Sequence, residues 1–180
     1  MTLAFQLAQL IVIVYLRHMM GNQSSFNLHE LLSVTAIRLN LIGSTRDDIL
    51  SELTTIVPEI ASNTAAQSSL FQALQEREQL HSTGIGDGIA LPHARNALVG
   101  VVQRPVIVIG RRESGVPWAS IDNQPARLFF LLIAPNITQH LAILARVSRL
   151  LRDVKLRQAL MIADKPVKFI ELIRVAETGA

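Results

Sequence analysis

Short runs of branched apolar residues, each bounded by glycine, proline or asparagine, constrain this chain more than any other feature. The runs are GIALP (88–92), PVIVIGR (105–111) and RLFFLLIAP (127–135). They are too short for helices and lack polar alternation, a pattern typical of strands buried on both faces of a sheet. A further short strand is predicted over AIRLN (36–40). Strands of this kind need helices on both sides of the sheet.

Apolar residues at helical spacing occupy the segments between and after these runs. Four helices are predicted, over 45–57, over 68–80, from a cap at Asn136 or Thr138 onward, and over 165–177. The third helix presents an apolar stripe made of Leu141, Leu144, Val147 and Leu151. Together with the strands, these helices predict one α/β domain, a three-layer sandwich in which helices flank a mixed β-sheet.

Composition narrows the functional classes. The 180 residues include no cysteine, which excludes disulfides, thiolate metal sites and cysteine nucleophiles and fits a reducing cytoplasm. The formal net charge is +3, the basic residues form no long run, and aromatic residues make up only 4%. This pattern argues against nucleic-acid binding and leaves a modest positive field that attracts an acidic or phosphorylated protein partner.

The N-terminal stretch LAFQLAQLIVIVYL (3–16) is apolar but is interrupted by two glutamines. It is shorter than the roughly 20 residues of a membrane-spanning helix. It also lacks the basic flank and the small-residue cleavage site of a secretory signal. Three interpretations stay open: an extra helix that packs on the domain or forms a dimer, a weak membrane contact, and an anomaly of the translation start site. We expect residues 1–26 to be an extension and linker, and residues 27–177 to form the domain.

A glycine-rich stretch precedes a single histidine in STGIGDGIALPHARN (82–96). Gly84, Gly86 and Gly88 permit positive φ, so their backbone N–H groups can line a concave turn that holds an anion. A tight turn before a strand explains the same glycines. A proline fixes the backbone before His93, whose neutral imidazole is a nucleophile near pH 7. No second histidine or cysteine lies close enough in sequence to predict a metal site.

Two further residues stand out by their spacing. His140 lies in the first turn of its predicted helix and heads the apolar stripe, where the positive end of the helix dipole favours a neutral imidazole. Arg77 shares a helix face with Leu70 and Leu74, so its guanidinium needs either an anion or an edge position that reaches solvent. His140 is equally well explained as a polar residue in the first turn of a helix that has no functional role. Arg77 is equally well explained as an arginine at the edge of the apolar face whose side chain reaches solvent.

The segment REQLHSTGIGDGIALPHAR (77–95) resembles the active-site signature of the type 2 enzyme IIA domains of the bacterial phosphoenolpyruvate-dependent sugar phosphotransferase system. That family includes the fructose, mannitol and nitrogen-regulatory IIA proteins. GVPWASIDNQPARLFFLLIAP (115–135) is similar to the family's loop and strand, and QHLAILARVSRLLRD (139–153) to its histidine-bearing helix. The resemblance covers residues 27–176 and implies a mannitol-IIA-like fold.

The resemblance implies a phosphocarrier. His93 matches the phosphorylated histidine, which receives its phosphoryl group from the carrier protein HPr or an HPr-like protein. His140 matches the second active-site histidine and Arg77 the active-site arginine, while the turn of Gly84, Gly86 and Gly88 is expected to cradle the phosphoryl group. In-line transfer to a neutral imidazole requires a correctly positioned ring and a positive electrostatic potential around the phosphoryl group. The residues that match the family therefore imply neither a cofactor nor a metal.

The downstream step stays open at the level of sequence. The family implies a IIB domain as acceptor in sugar transport, or a regulated target protein in nitrogen regulation. Ala94 stands where many members of the family have glycine followed by a basic residue, and this departure leaves the acceptor undecided. The alternative function is a non-catalytic regulatory module associated with a membrane transporter.

Overall fold

A five-stranded mixed sheet organises the described part of the chain, which in this computed structural model is residues 27–94 and 102–179. The apolar segment 3–16 lies outside these ranges. The strands are β1 (Ile37–Arg38), β2 (Gly84–Gly86), β3 (Ile89–Ala90), β4 (Val106–Val116) and β5 (Ala126–Ile133). They lie side by side in the order β1-β4-β5-β3-β2. The pairs β1–β4 and β3–β5 are parallel, and the pairs β4–β5 and β2–β3 are antiparallel.

Helices cover both faces of this sheet. Within the described ranges they are α1 (Arg46–Thr55), α2 (Thr64–Leu80), α3 (Ile137–Leu150), α4 (Val154–Ile162) and α5 (Pro166–Thr178). Short 3-10 turns span Leu28–Leu31, Val34–Ala36 and Pro58–Ile60. The side chains of β5 alternate between two buried clusters, as a strand covered on both faces requires. Phe129 and Leu131 pack with α1 and α2, whereas Phe130 and Leu132 pack with α3, α4 and α5. The predicted three-layer α/β sandwich is confirmed.

Side-chain caps set several of the helix ends. Asn136, one of the two predicted caps of α3, accepts the N–H of Gln139 at 3.0 Å through its side-chain oxygen. Asn63 caps α2 in the same way through the N–H of Ala66, so that helix begins four residues before the predicted start at residue 68. The predicted C-terminal helix begins as expected with proline in its first turn.

The predicted apolar stripe of α3 is wrong in its upper part. Leu141 is 57% exposed, whereas Ile143 is only 1% exposed and packs against the sheet together with Val147. Apolar residues at 141, 143 and 144 allow two helical phases, and the position of the sheet selects the second one. As a result, an exposed leucine lies next to His140 on α3.

A buried carboxylate anchors the first described residues. Glu177, near the end of α5, accepts the backbone N–H groups of Leu28 at 2.6 Å and His29 at 2.9 Å. It also lies 2.7 Å from Nδ1 of His29, and its side chain is 6% exposed. This arrangement satisfies the free amides at the start of the first 3-10 turn and ties the beginning of the domain to its last helix.

Candidate active site

His93 stands at the carboxyl end of β3, between β5 and the loop that precedes β2. The N–H of Leu132 donates to the carbonyl of Pro92 at 2.9 Å, and His93 forms a parallel bridge with Leu132. On the other side, the N–H of Leu91 donates to the carbonyl of Thr83 at 3.0 Å. The backbone that carries His93 is therefore fixed from both sides, while its imidazole stays half-buried at the end of the strand.

One hydrogen bond defines the tautomer of His93. Its Nδ1 lies 2.8 Å from the carbonyl oxygen of Leu91. A carbonyl oxygen only accepts, so Nδ1 carries the hydrogen, and in the neutral ring Nε2 keeps its lone pair. Burial lowers the pKa of His93 from its ordinary value of 6.5, the bond to Leu91 opposes that shift, and the charge of Arg77 adds to it. The ring is therefore neutral at pH 7, with an unprotonated Nε2.

His140 lies beside this ring. The two ring centroids are 5.2 Å apart and the ring planes meet at 47°. Its backbone N–H donates to the carbonyl of Asn136, which places the side chain in the first turn of α3. Burial lowers the pKa of His140, and the charges of His93 and Arg77 lower it further. A neutral imidazole has one ring N–H, so His140 offers a hydrogen-bond donor next to the nucleophile.

Arg77 comes from the last turn of α2. Its Nη1 donates to the carbonyl of His81 at 2.6 Å, which satisfies a free carbonyl at the helix end and holds the guanidinium beside the loop leading to β2. It is half-buried, and its positive charge lowers the pKa of both His93 and His140. The structure thus brings together the three residues that were predicted as catalytic.

The glycine turn lies elsewhere. Gly86 and Gly88 have φ values of 91° and 74°, and with Asp87 they turn the chain from β2 into β3 at the amino end of β3. His93 follows the opposite end, about 13 Å further along at the rise of an extended chain. Gly84 instead pairs with Ala90 across this hairpin, so the three glycines are spread along it, and the cradle of amides expected from them stays a prediction.

The amides and space near these glycines are already used by other groups. The N–H of Gly84 donates to Oγ of Ser82 at 3.0 Å, and the N–H of Asp87 donates to Oδ2 of Asp122 at 2.8 Å. A Cβ at Gly84 would clash with Oγ of Ser120. These glycines therefore serve a tight hairpin and a close approach of two loops.

A buried acid next to Arg77 was missed by the sequence reasoning. Glu78 is 4% exposed; its Oε2 accepts the N–H of Thr83 at 3.1 Å, and its Oε1 accepts the hydroxyl of the same residue. Trp118 Nε1 donates to that hydroxyl at 3.3 Å. The signal was present, because Leu70, Leu74 and Glu78 recur at i, i+4 and i+8 on one helix face.

The described ranges offer neither a cluster of metal ligands nor a membrane-spanning helix. Residues 27–94 and 102–179 contain no group of three histidine, cysteine, aspartate or glutamate side chains placed to hold a metal ion. None of the helices in these two ranges has the length and apolar character needed to cross a membrane.

Comparison of sequences identifies relatives of two kinds. The family model "Phosphoenolpyruvate-dependent sugar phosphotransferase system, EIIA 2" matches residues 30–175. The PTS system fructose-specific EIIABC component of Bacillus subtilis is 35% identical over 146 residues, which are 80% of this chain and only 22% of that relative. A nitrogen regulatory protein of Klebsiella oxytoca is 32% identical over 162 residues, which are 88% of this chain and 96% of that relative.

Solved structures with the same fold carry names of the same kind. Nitrogen regulatory protein IIA-Ntr from Neisseria meningitidis has a TM-score of 0.72 at 25% identity, covering 81% of this chain and 98% of that one. The mannitol IIA enzyme in a complex with phosphorylated mannitol IIB enzyme from Escherichia coli has a TM-score of 0.68 at 20% identity, covering 79% and 96%. The predicted mannitol-IIA-like fold is confirmed. With its family model matching most of the domain, the chain belongs to the EIIA 2 family of the phosphoenolpyruvate-dependent sugar phosphotransferase system.

Proposed function

We propose that this protein is a phosphocarrier that accepts a phosphoryl group on Nε2 of His93 from HPr or an HPr-like protein and passes it on. One observation carries the proposal: the hydrogen bond from Nδ1 of His93 to the carbonyl of Leu91 leaves Nε2 as the free nucleophile of a neutral ring. The lowered pKa of His93 keeps that form populated at pH 7 without a general base.

The transfer exchanges one N–P bond for another. The lone pair of Nε2 forms a bond to phosphorus while the N–P bond of the donor's phosphohistidine breaks, and its electron pair returns to the donor's ring nitrogen. The hydrogen on Nδ1 stays on the bond to Leu91 throughout. No proton has to leave the nucleophile, so the chain's task is to hold the ring in line with the phosphorus atom.

His140 and Arg77 supply the positive potential that the phosphoryl oxygens need. A loose transition state spreads negative charge over three oxygens, and preorganised donors stabilise it most strongly where water is partly excluded. His140, with its ring centroid 5.2 Å from that of His93, provides a ring N–H. Arg77 provides a permanent cation whose field already reaches both rings. The same groups stabilise the phosphorylated His93 afterwards.

An exposed apolar rim surrounds this site and suits docking of a protein partner. Ile137 is 61% exposed and Leu141 is 57% exposed, on the same turns of α3 as His140, and Leu80 is 52% exposed at the end of α2 beside Arg77. Exposed apolar residues around a polar centre mark protein-binding surfaces. We assign this rim to the contact with HPr and with the acceptor.

The two kinds of relative support two candidate acceptors. The names of the matched proteins include a fructose-specific component and nitrogen regulatory proteins, and a mannitol IIA structure holds a phosphorylated IIB enzyme. We propose a IIB domain as acceptor in transport, or a regulated target protein that reads the phosphorylation state of His93. We place this transfer in the cytoplasm, a reducing compartment that fits a chain without cysteine.

Intact-mass measurement tests the proposal. The chain is incubated with phosphoenolpyruvate, enzyme I and HPr, and we expect an acid-labile gain of one phosphoryl group that is absent from His93→Ala. His29→Ala is the matched control, because His29 is also a half-buried histidine but pairs with Glu177 at the start of the domain. Absence of a label with several competent HPr proteins would instead support a non-catalytic interaction module associated with a membrane transporter.

A further inference from the structure

A buried polar network surrounds Thr83, in the loop that precedes β2. Glu78, Thr83 and Trp118 are 4%, 5% and 0% exposed. Glu78 accepts both the N–H and the hydroxyl of Thr83, and the same hydroxyl accepts a hydrogen from Trp118 Nε1. Burying a carboxylate costs free energy unless hydrogen bonds compensate for lost water. These bonds hold Thr83 in one conformation in the loop between α2 and β2.

This network reaches the ring of His93 through two consecutive hydrogen bonds. The carbonyl of Thr83 accepts the N–H of Leu91 at 3.0 Å, and the carbonyl of Leu91 accepts Nδ1–H of His93 at 2.8 Å. Leu91 is 2% exposed, so no solvent replaces either bond. Glu78 thus holds Thr83 through its N–H and hydroxyl, the carbonyl of Thr83 holds the N–H of Leu91, and the carbonyl of Leu91 accepts from the ring.

We propose that Glu78 is a positioning residue for His93: by fixing Thr83 it fixes the carbonyl of Leu91, and thereby selects the tautomer in which Nε2 is the nucleophile. Its effect on phosphoryl transfer rests on the function proposed above, whereas its effect on the tautomer does not. Groups that orient an imidazole through its Nδ1–H act in the same way at other histidine sites. The end of α2 thus contributes two residues to the site. Arg77 supplies a cation for the phosphoryl group, and Glu78 fixes the orientation of the His93 ring.

The test reads the tautomer in the unphosphorylated protein. Ring ¹⁵N chemical shifts of His93 are measured at pH 7.5 in the wild type, Glu78→Ala and Glu78→Gln. We expect Nδ1–H to dominate in the wild type and the Nε2–H form to rise several-fold in Glu78→Ala, as loss of about 1 kcal/mol of hydrogen-bond bias allows. We expect Glu78→Gln to recover most of the shift, since its amide oxygen still accepts the N–H of Thr83.

Kinetics provide the second readout. In Glu78→Ala the maximal rate of phosphorylation by HPr is expected to fall about tenfold or more, with the KM for HPr changed by less than about twofold, because the docking rim is untouched. Should Glu78→Ala fail to fold, Thr83→Val replaces it, since that change removes the hydroxyl from the network at nearly constant volume. The same shift toward Nε2–H is expected there.

Glu177→Ala is the matched control, because Glu177 is also a buried carboxylate that accepts two backbone N–H groups, but far along the chain from the site. It is expected to lower the melting temperature while leaving the ring shifts of His93 unchanged. Unchanged shifts in both Glu78→Ala and Thr83→Val, or an equal shift in Glu177→Ala, would overturn the assignment. If the wild type takes no phosphoryl group, the proposed function fails while the ring shifts still decide the role of Glu78.

Discussion

Replacement of His140 by alanine tests how the site stabilises the transferring phosphoryl group. The substitution removes the ring whose centroid lies 5.2 Å from that of His93 and with it one preorganised N–H donor. Loss of one such donor lowers rates by about 10²–10³-fold elsewhere. His140 is half-buried, so water partly replaces it and we expect the lower end, about 100-fold or ~2.7 kcal/mol of transition-state stabilisation.

A second effect of His140→Ala concerns pH. The pKa of His93 is lowered chiefly by burial, and removal of the neighbouring ring exposes His93 to more water. Its pKa therefore rises toward the ordinary value, and protonation removes the Nε2 lone pair at a higher pH than in the wild type. The acid limb of the phosphorylation rate is expected to move to higher pH in the variant.

Single-turnover transfer from phosphorylated HPr, followed between pH 5 and pH 8.5, measures both effects. Alanine is well tolerated in a helix, so the free energy of unfolding of His140→Ala is expected to stay within about 1 kcal/mol of the wild type. His29→Ala serves as the control for removal of a half-buried histidine. A wild-type rate and an unmoved acid limb in a folded His140→Ala protein would refute the role given to this ring.

Three further predictions concern docking, the hairpin and stability. Leu141→Asp is expected to raise the KM for HPr about tenfold or more with little change in the maximal rate, because it places a charge in the exposed rim; equal changes in both parameters would contradict this. Gly84→Ala is expected to lower the free energy of unfolding by about 2 kcal/mol or more in denaturant titrations, since its Cβ would meet Ser120, and an unchanged midpoint would refute the close approach. The pKa values of His93 and His140 are lowered in the folded state, so the unfolded chain binds more protons below 6.5 and stability falls as pH falls. Thermal melts at pH 7.5 and pH 5 should show this loss, and a double alanine variant should show less of it.

The candidate site was largely predictable because its residues carry spacing signals. Arg77 and His140 each sit at an odd polar position on an apolar helix face, and His93 follows a proline at the end of a strand. The sequence alone could not show that these three side chains lie close together. Their proximity depends on how the fold places the end of α2, the end of β3 and the start of α3 relative to one another. Glu78 was missed although it shares a helix face with Leu70 and Leu74, because spacing alone does not show whether an acid on that face is buried.

The predictions of secondary structure and burial fail where the local sequence is equally compatible with two arrangements. The phase of α3 is ambiguous because apolar residues stand at 141, 143 and 144, and only packing against β5 selects Ile143. The strand β4 continues through polar residues to Val116 because it pairs there with Ala126 beyond a bulge. The local secondary-structure propensity of a segment does not reveal such long-range strand pairing.

The position of phosphate on the ring of His93 is the most direct test of the central claim. The phosphorylated protein, labelled with ¹⁵N in histidine, is examined by ³¹P and ¹⁵N NMR at alkaline pH, where the N–P bond survives. We expect phosphate on Nε2 with Nδ1 still protonated, because Nδ1–H is held by the carbonyl of Leu91. Phosphate on Nδ1 of His93, or on another histidine, would contradict it.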